Sequence, residues 1–146
     1  MKIKKIPLLC VLFISFLGIA CDKDDNIDLS GSWQLISQTW NGEEQELDEC
    51  AKGKLLYFAE KNVCYLYLPC EQKDLRTAWN YDGDNRILNI SDLLPITFYV
   101  EERSDNRLVL KHYTYSATGQ LDTYIETYKA VETVLEDGKL RLKESY

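Results

Sequence analysis

Apolar residues in this chain recur at every second position within short runs, and turn residues interrupt those runs at close intervals. In Val63-Cys64-Tyr65-Leu66-Tyr67-Leu68 the side chains of Cys64, Leu66 and Leu68 share one phase. Ile96, Phe98 and Val100 repeat the pattern, as do Leu108, Leu110 and His112. Successive side chains of a strand point to opposite faces, so a period of two dictates extended segments with one inward face. No stretch holds a helical period over twelve residues; one short helix or turn is predicted within Glu43 to Lys52. Strands are predicted near 32–40, 54–60, 63–68, 74–81, 86–91, 95–102, 106–115 and 120–131.

The joints between these runs carry turn chemistry. Glu60-Lys61-Asn62, Asp82-Gly83-Asp84-Asn85, Ser104-Asp105-Asn106 and Ala117-Thr118-Gly119 each link two runs closely enough for a hairpin. Pro69 and Pro95 fall at strand edges, where a missing backbone donor is harmless. Short strands joined by close turns form an antiparallel meander, and about eight of them can close on themselves and remove the exposed edges. The expected fold is therefore all-β, one barrel over residues 29–132, with a C-terminal hairpin or tail over 133–146 around Glu136-Asp137-Gly138. Its interior is expected to hold Trp33 and Leu35, Leu66 and Leu68, Leu88 and Ile90, Ile96, Phe98 and Val100, and Leu108 and Leu110.

The first twenty residues have a different character. Lys2, Lys4 and Lys5 precede an apolar run, Ile6 to Ala20, that ends in small residues before Cys21. This is the layout of a secretory signal. Fifteen residues of helix reach about 22 Å, short of the ~30 Å hydrocarbon core of a bilayer. Leu17-Gly18-Ile19-Ala20-Cys21 resembles a bacterial lipobox. That resemblance implies cleavage after residue 20, a diacylglycerol thioether on Cys21 and an N-acyl chain on the new terminus. Asp22-Lys23-Asp24-Asp25 resembles the Lys-plus-acidic signal that sends some Gram-negative lipoproteins to the outer face of the outer membrane. Residues 21–28 then form an acidic tether. Two or three chains, at ~0.8 kcal/mol per buried CH₂, give lasting attachment.

Export would place Cys50, Cys64 and Cys70 in an oxidising space. Three cysteines allow three pairings with one thiol left over. Cys64 alternates in phase with Leu66 and Leu68 and so reads as a buried thiol. Cys50 and Cys70 lie in loop-like sequence and are paired here. Zinc binding is the competing reading, and the spacings lack a CxxC knuckle.

Charge and residue supply exclude several functions. Three of the 17 basic residues precede Cys21, which leaves 14 basic against 24 acidic residues in the remaining chain. Such a surface repels phosphate backbones, so nucleic acid is not a partner. His112 is the only histidine, and its alternation with Leu108 and Leu110 places it at a barrel mouth or in the core rather than in catalysis. Glu43-Glu44, Asp48-Glu49 and Glu101-Glu102 read as solvated pairs; alternation puts Glu101 and Glu102 on opposite faces. Asp82-Gly83-Asp84-Asn85 lacks the twelve-residue calcium loop and reads as a turn. No enzyme activity, cofactor or metal is expected.

Leu29-Ser30-Gly31-Ser32-Trp33 resembles the Gly-x-Trp entry of lipocalins. The likeness runs over roughly residues 29–131 and is closest to the small lipocalin-like domains of secreted bacterial lipoproteins. Cys50, Cys70 and the pairing of Trp79 with Asp82-Gly83 match features of those domains. The resemblance implies an eight-stranded, calycin-type barrel with Trp33 as the plug of its closed end and a late-strand arginine stacked on it, for which Arg107 is the nearest candidate. Trp33, Leu35, Leu66, Leu68, Phe98 and Leu110 are then the residues that plug the barrel or line a ligand. Two functions remain open: a carrier of a small apolar ligand, or a surface accessory with a filled barrel that meets an envelope protein. The ten tyrosines suit a pocket mouth or a partner contact as well as ordinary strands. Cavity volume separates the two readings.

Overall fold

A computed structural model describes residues 27–144. The predicted leader 1–20, Cys21 with its expected lipid attachment, and most of the predicted tether 21–28 lie outside the described residues. The chain enters β1 (Gly31–Trp40), turns into the short β2 (Glu43–Gln45), and makes one helical turn, α1 (Glu49–Lys52). Seven more strands follow: β3 (Leu55–Ala59), β4 (Val63–Leu68), β5 (Lys73–Asp82), β6 (Ile87–Ile90), β7 (Thr97–Arg103), β8 (Arg107–Tyr115) and β9 (Leu121–Val131). All neighbours pair antiparallel, and β1 pairs with both β3 and β9, so the eight long strands form a closed ring with β2 added along β1. The antiparallel meander predicted from the alternation is the architecture found.

Local chemistry explains the joints. Lys61 and Asn62 both adopt left-handed φ, which matches the twist of the β3–β4 hairpin. The Asp82 carboxylate accepts hydrogen bonds from the Asp84 and Asn85 amides and from the Asn85 side chain, so it closes its own turn. Gly31 opens β1 at φ 121°, a conformation L side chains rarely adopt. The region read as one short helix or turn divides into β2 and α1 because Asp48 caps the latter, accepting from the Ala51 amide at 2.7 Å.

One contiguous core fills the ring. Trp33, Leu35, Leu66, Leu88, Ile90, Phe98, Val100, Leu108 and Leu110 are buried in it together with Leu56, Phe58 and Cys64. Leu68 is only half-buried. Trp33 donates from Nε1 to the Leu29 carbonyl at 3.2 Å and closes one end. Arg107, the sequence-based candidate for stacking on it, instead lies outside and pairs with Glu102 at 3.3 Å. Arg103 takes the stacking position, its guanidinium carbon 4.6 Å from the Trp33 ring centroid.

The cause is a β-bulge between Val100 and Glu102, which inserts one residue and shifts the alternation. The same bulge corrects the reading of Glu101 and Glu102. Both lie on the outer side, Glu101 paired with Lys111 at 2.7 Å.

Beyond β9, β10 (Thr133–Glu136) and β11 (Lys139–Leu142) form a separate hairpin against the outside of β3–β5. Leu55, Tyr67 and Asp74 stand side by side on that outer face. The hairpin meets the row with the buried Leu140 and with Arg141, which forks onto Asp74 at 2.7 and 3.0 Å and lies over the Tyr67 ring. This pairing holds the Asp74 carboxyl below its ordinary range.

Candidate functional site

Two adjoining cavities lie at the end of the ring opposite Trp33. A second bulge, between Leu35 and Ser37 of β1, moves the inward phase from Trp33 and Leu35 to Gln38 and Trp40. Inward residues of β9 follow the phase of Tyr124, Glu126 and Tyr128, opposite His112, Leu110 and Leu108 of β8. Lys54, one step before β3, shares the phase of Leu56 and Phe58. Two charges thereby enter the ring on either side of β1, Lys54 from the β3 side and Glu126 from β9.

They meet as a buried ion pair. Lys54 Nζ lies 2.9 and 3.1 Å from the two carboxylate oxygens of Glu126, with the side chains 19% and 6% exposed. Tyr128 donates its hydroxyl to Glu126 Oε2 at 2.6 Å, and Gln38 donates to Oε1 at 3.4 Å. Burial raises the Glu126 carboxyl, but the Lys54 charge and the Tyr128 hydroxyl outweigh it and hold the group below its usual range. Burial and the Glu126 charge push the Tyr128 phenol well up. The network is satisfied on every side, as a buried charge requires.

His112 stands beside it. Its ring stacks on Tyr124 with centroids 5.1 Å apart and planes 6° apart, and meets Phe98 edge-on. Nδ1 is buried without a hydrogen-bond partner. Burial lowers its pKa and outweighs the attraction of Glu126, while Lys54 adds to the lowering. The ring forms a wall against which Tyr124 lies flat.

Above this floor lies a cleft in two parts. One cavity of about 200 Å³ runs along Leu35, Leu47, Lys54, Leu68, Pro69 and Glu126. A second of about 370 Å³ is bounded by Trp40, Glu46, Asp48 and Tyr124. The two share Gln38, Leu47, Ala51 and Cys70 as a common wall. Their cover is the segment from β2 to α1. Leu47 reaches down from it onto the core, and the Cys50–Cys70 disulfide ties α1 to the 3-10 turn Pro69–Glu71. Gly53 permits the close approach, since a Cβ there would stand 3.0 Å from Pro69 Cγ.

The predicted pairing of Cys50 with Cys70 is the one present, and Cys64 is the buried free thiol, its pKa pushed up to about 12 by burial. Asp48 lies near both sulfurs of the bridge, but a disulfide has no thiolate to offer a metal.

Of the residues predicted to plug the barrel or line a ligand, Leu35 and Leu68 border the cleft, whereas Trp33, Leu66, Phe98 and Leu110 sit in the packed core. Lys54, Glu126, Tyr128 and Tyr124 were missed. Their signal was present, because Tyr124, Glu126 and Tyr128 alternate within one run, and Lys54 precedes Leu56 and Phe58 in phase. Trp40 and Gln38 carried no such signal, since the β1 bulge reverses the phase before them.

Among solved structures, the chain resembles bovine odorant-binding protein in complex with its natural ligand. Identity is 15%, covering 76% of this chain and 77% of that one, with a TM-score of 0.48. Aphrodisin, a sex pheromone from female hamster, is 9% identical over 70% of this chain and 74% of its own, with a TM-score of 0.42. No curated protein matches the chain. A family model described as a lipocalin-like domain matches residues 29–110, from the Leu29 that receives the Trp33 indole to the Leu110 of the core. On that match, which spans more than half of the sequence, the chain belongs to the family of lipocalin-like domains.

Proposed function

We propose that this lipocalin-like domain is a carrier that holds a small, largely apolar ligand at the mouth of its ring rather than deep inside it. The observation that carries the reading is the covered cleft. Leu35, Leu47, Leu68 and Pro69 supply apolar walls, Trp40 and Tyr124 supply aromatic ones, and a fixed polar pair lies at the floor. Small-molecule sites combine these features: mostly apolar concave walls with a few placed polar groups. Titration of the full chain with the neutral, environment-sensitive dye N-phenyl-1-naphthylamine tests it. Fluorescence should rise and saturate at one dye per chain, and Ala51→Trp, which fills the shared wall, should abolish the signal while circular dichroism stays unchanged. An unchanged signal in that variant overturns the reading.

The second reading is a non-ligand-binding surface accessory that contacts an envelope protein. It is favoured by the filled core below Leu35 and by the exposed aromatic group at the β8–β9 hairpin, where Tyr115 is 77% exposed beside Leu121.

Either function is proposed to operate from the outer membrane of a Gram-negative cell, on the external face, with acyl lipid on Cys21 as the anchor. The support is the lysine-led apolar leader ending at Ala20-Cys21 and the Asp22-Lys23-Asp24-Asp25 that follows. Cys21→Ser should move the protein from the membrane to the soluble fraction; retention in the membrane overturns the anchor.

A further inference from the structure

We infer that the ligand of the mouth cleft is an organic cation, with an apolar body between Leu35, Leu47 and Leu68 and a protonated amine at the rim facing Glu46, Asp48 and Glu71. This inference rests on the carrier reading and adds the chemical class of the ligand. Lys54 is the one basic residue that borders either cavity, and its ammonium is committed to both oxygens of Glu126. An anionic ligand would have to draw Lys54 away and leave a buried carboxylate unpaired, the costliest way to break such a pair.

The rim carries the opposite sign. Glu46, Asp48 and Glu71 border the cleft, and none of them joins an ion pair among the described residues. Asp48 offers one oxygen to the Ala51 amide and keeps the other outside that bond. These three carboxylates are exposed and hydrated, and an ammonium gains from their combined negative field where a neutral head group does not. The aromatic walls favour the same charge. Tyr124 is held flat by its stack on His112, and Trp40 stands on the neighbouring strand. The face of an aromatic ring attracts a cation, tryptophan most of all. The committed Lys54, the unpaired rim acids and the aromatic walls therefore select the same ligand chemistry by separate routes.

The test uses three water-soluble probes that share one apolar body: 4-phenylbutylamine, 4-phenylbutanol and 4-phenylbutyrate. Each is titrated calorimetrically into the full chain at neutral pH and near-physiological salt. The amine should bind about tenfold more tightly than the alcohol, and the carboxylate more weakly than the alcohol. In a Glu46→Gln, Glu71→Gln variant the advantage of the amine should shrink to about twofold with alcohol binding unchanged. Asp84→Asn, which removes one acid from the turn at the other end of the ring, should leave all three affinities unaltered. Carboxylate binding as tight as amine binding, or an amine preference that survives the double variant, overturns the cationic assignment while the carrier reading stands. Failure of all three probes to bind overturns both.

Discussion

Arg103 lies over the Trp33 ring, with its guanidinium carbon 4.6 Å from the ring centroid, at the closed end of the ring. Two features far apart in sequence make that contact: the Gly31 entry that starts β1 and the bulge that turns Arg103 inward. A cation over tryptophan contributes roughly 0.5–2 kcal/mol, and the arginine stem adds packing. Arg103→Ala should cost about 2 kcal/mol in urea unfolding. Arg107→Ala, which breaks an exposed pair with Glu102, should cost less than about 0.5 kcal/mol. Equal losses would refute the assignment of Arg103 as the stacking residue.

The ion pair at the other end sets a second expectation. Lys54→Met leaves Glu126 charged, buried and supported only by Tyr128 and Gln38. Breaking a buried pair from one side costs about 3–5 kcal/mol. The partial exposure of Lys54 favours the lower figure, about 3 kcal/mol. The double variant Lys54→Met, Glu126→Gln should recover most of that loss, because the neutral amide still accepts from Tyr128. Chemical denaturation of the two variants side by side measures this; a double variant no better than the single one contradicts it.

Alternation exposed the ring and its core to sequence reading because the rule is local: each of β4, β6 and β8 holds one phase from end to end. The reading failed where a bulge added a residue. In β7 it put Glu102 on the face opposite Glu101 and passed over Arg103, and in β1 it hid Gln38 and Trp40. A bulge is fixed by the partner strand and by the curvature of the closed sheet, neither of which a single run of residues records. Lys54 and Glu126 escaped for another reason. Their phase marks both as inward, but a charge on an inward face gives no sign of being compensated until its partner, 72 residues away, is placed on the other side of β1.

Acid should weaken the fold through His112. Burial holds its pKa below the ordinary value, opposed by Glu126 and aided by Lys54, the two charged groups of the adjoining network. In the unfolded chain the imidazole titrates near about 6.5. Between the depressed folded value and that figure the unfolded state binds more protons, so stability rises with pH. It is fully present above the unfolded value and is lost as pH falls below it. The melting temperature should therefore drop from about pH 7 to pH 5, and His112→Phe should flatten that slope. Glu126 does not confound the measurement. Its carboxyl is lowered, so its contribution is lost only below the ordinary glutamate value near 4.3.

The disulfide closes a loop with a sequence separation of 20 and also fixes the cover of the cleft. Chain entropy assigns such a loop about 3 kcal/mol. A Cys50→Ala, Cys70→Ala variant should lose about that much and should bind a cleft ligand more weakly, because α1 is no longer tied to the Pro69 turn. Cys64 gives the control. Buried, and with its thiol pushed up to about 12, it should react with a thiol reagent only when the protein unfolds. Fast reaction of Cys64 under native conditions in the variant would show that the ring, not the cover alone, had opened.

An isolated two-stranded hairpin is marginal in water, so β10–β11 owes its order to the face on which it docks. Leu140 is fully buried there, and Arg141 forks onto Asp74. The apolar contact should dominate, because the Arg141 side chain remains 43% exposed and its pairing is screened by water. Leu140→Ala should cost about 2–3 kcal/mol of docking, enough to release the hairpin without opening the ring. Amide exchange separates the two events. Residues 133–142 should lose protection in Leu140→Ala, while β8 and β9 keep theirs, since their pairing with each other and with β1 does not pass through the hairpin. Arg141→Ala should change exchange in the same segment by a smaller factor. Loss of protection throughout β3 to β5 as well would mean that the hairpin is an integral part of the ring's stability rather than a piece docked upon it.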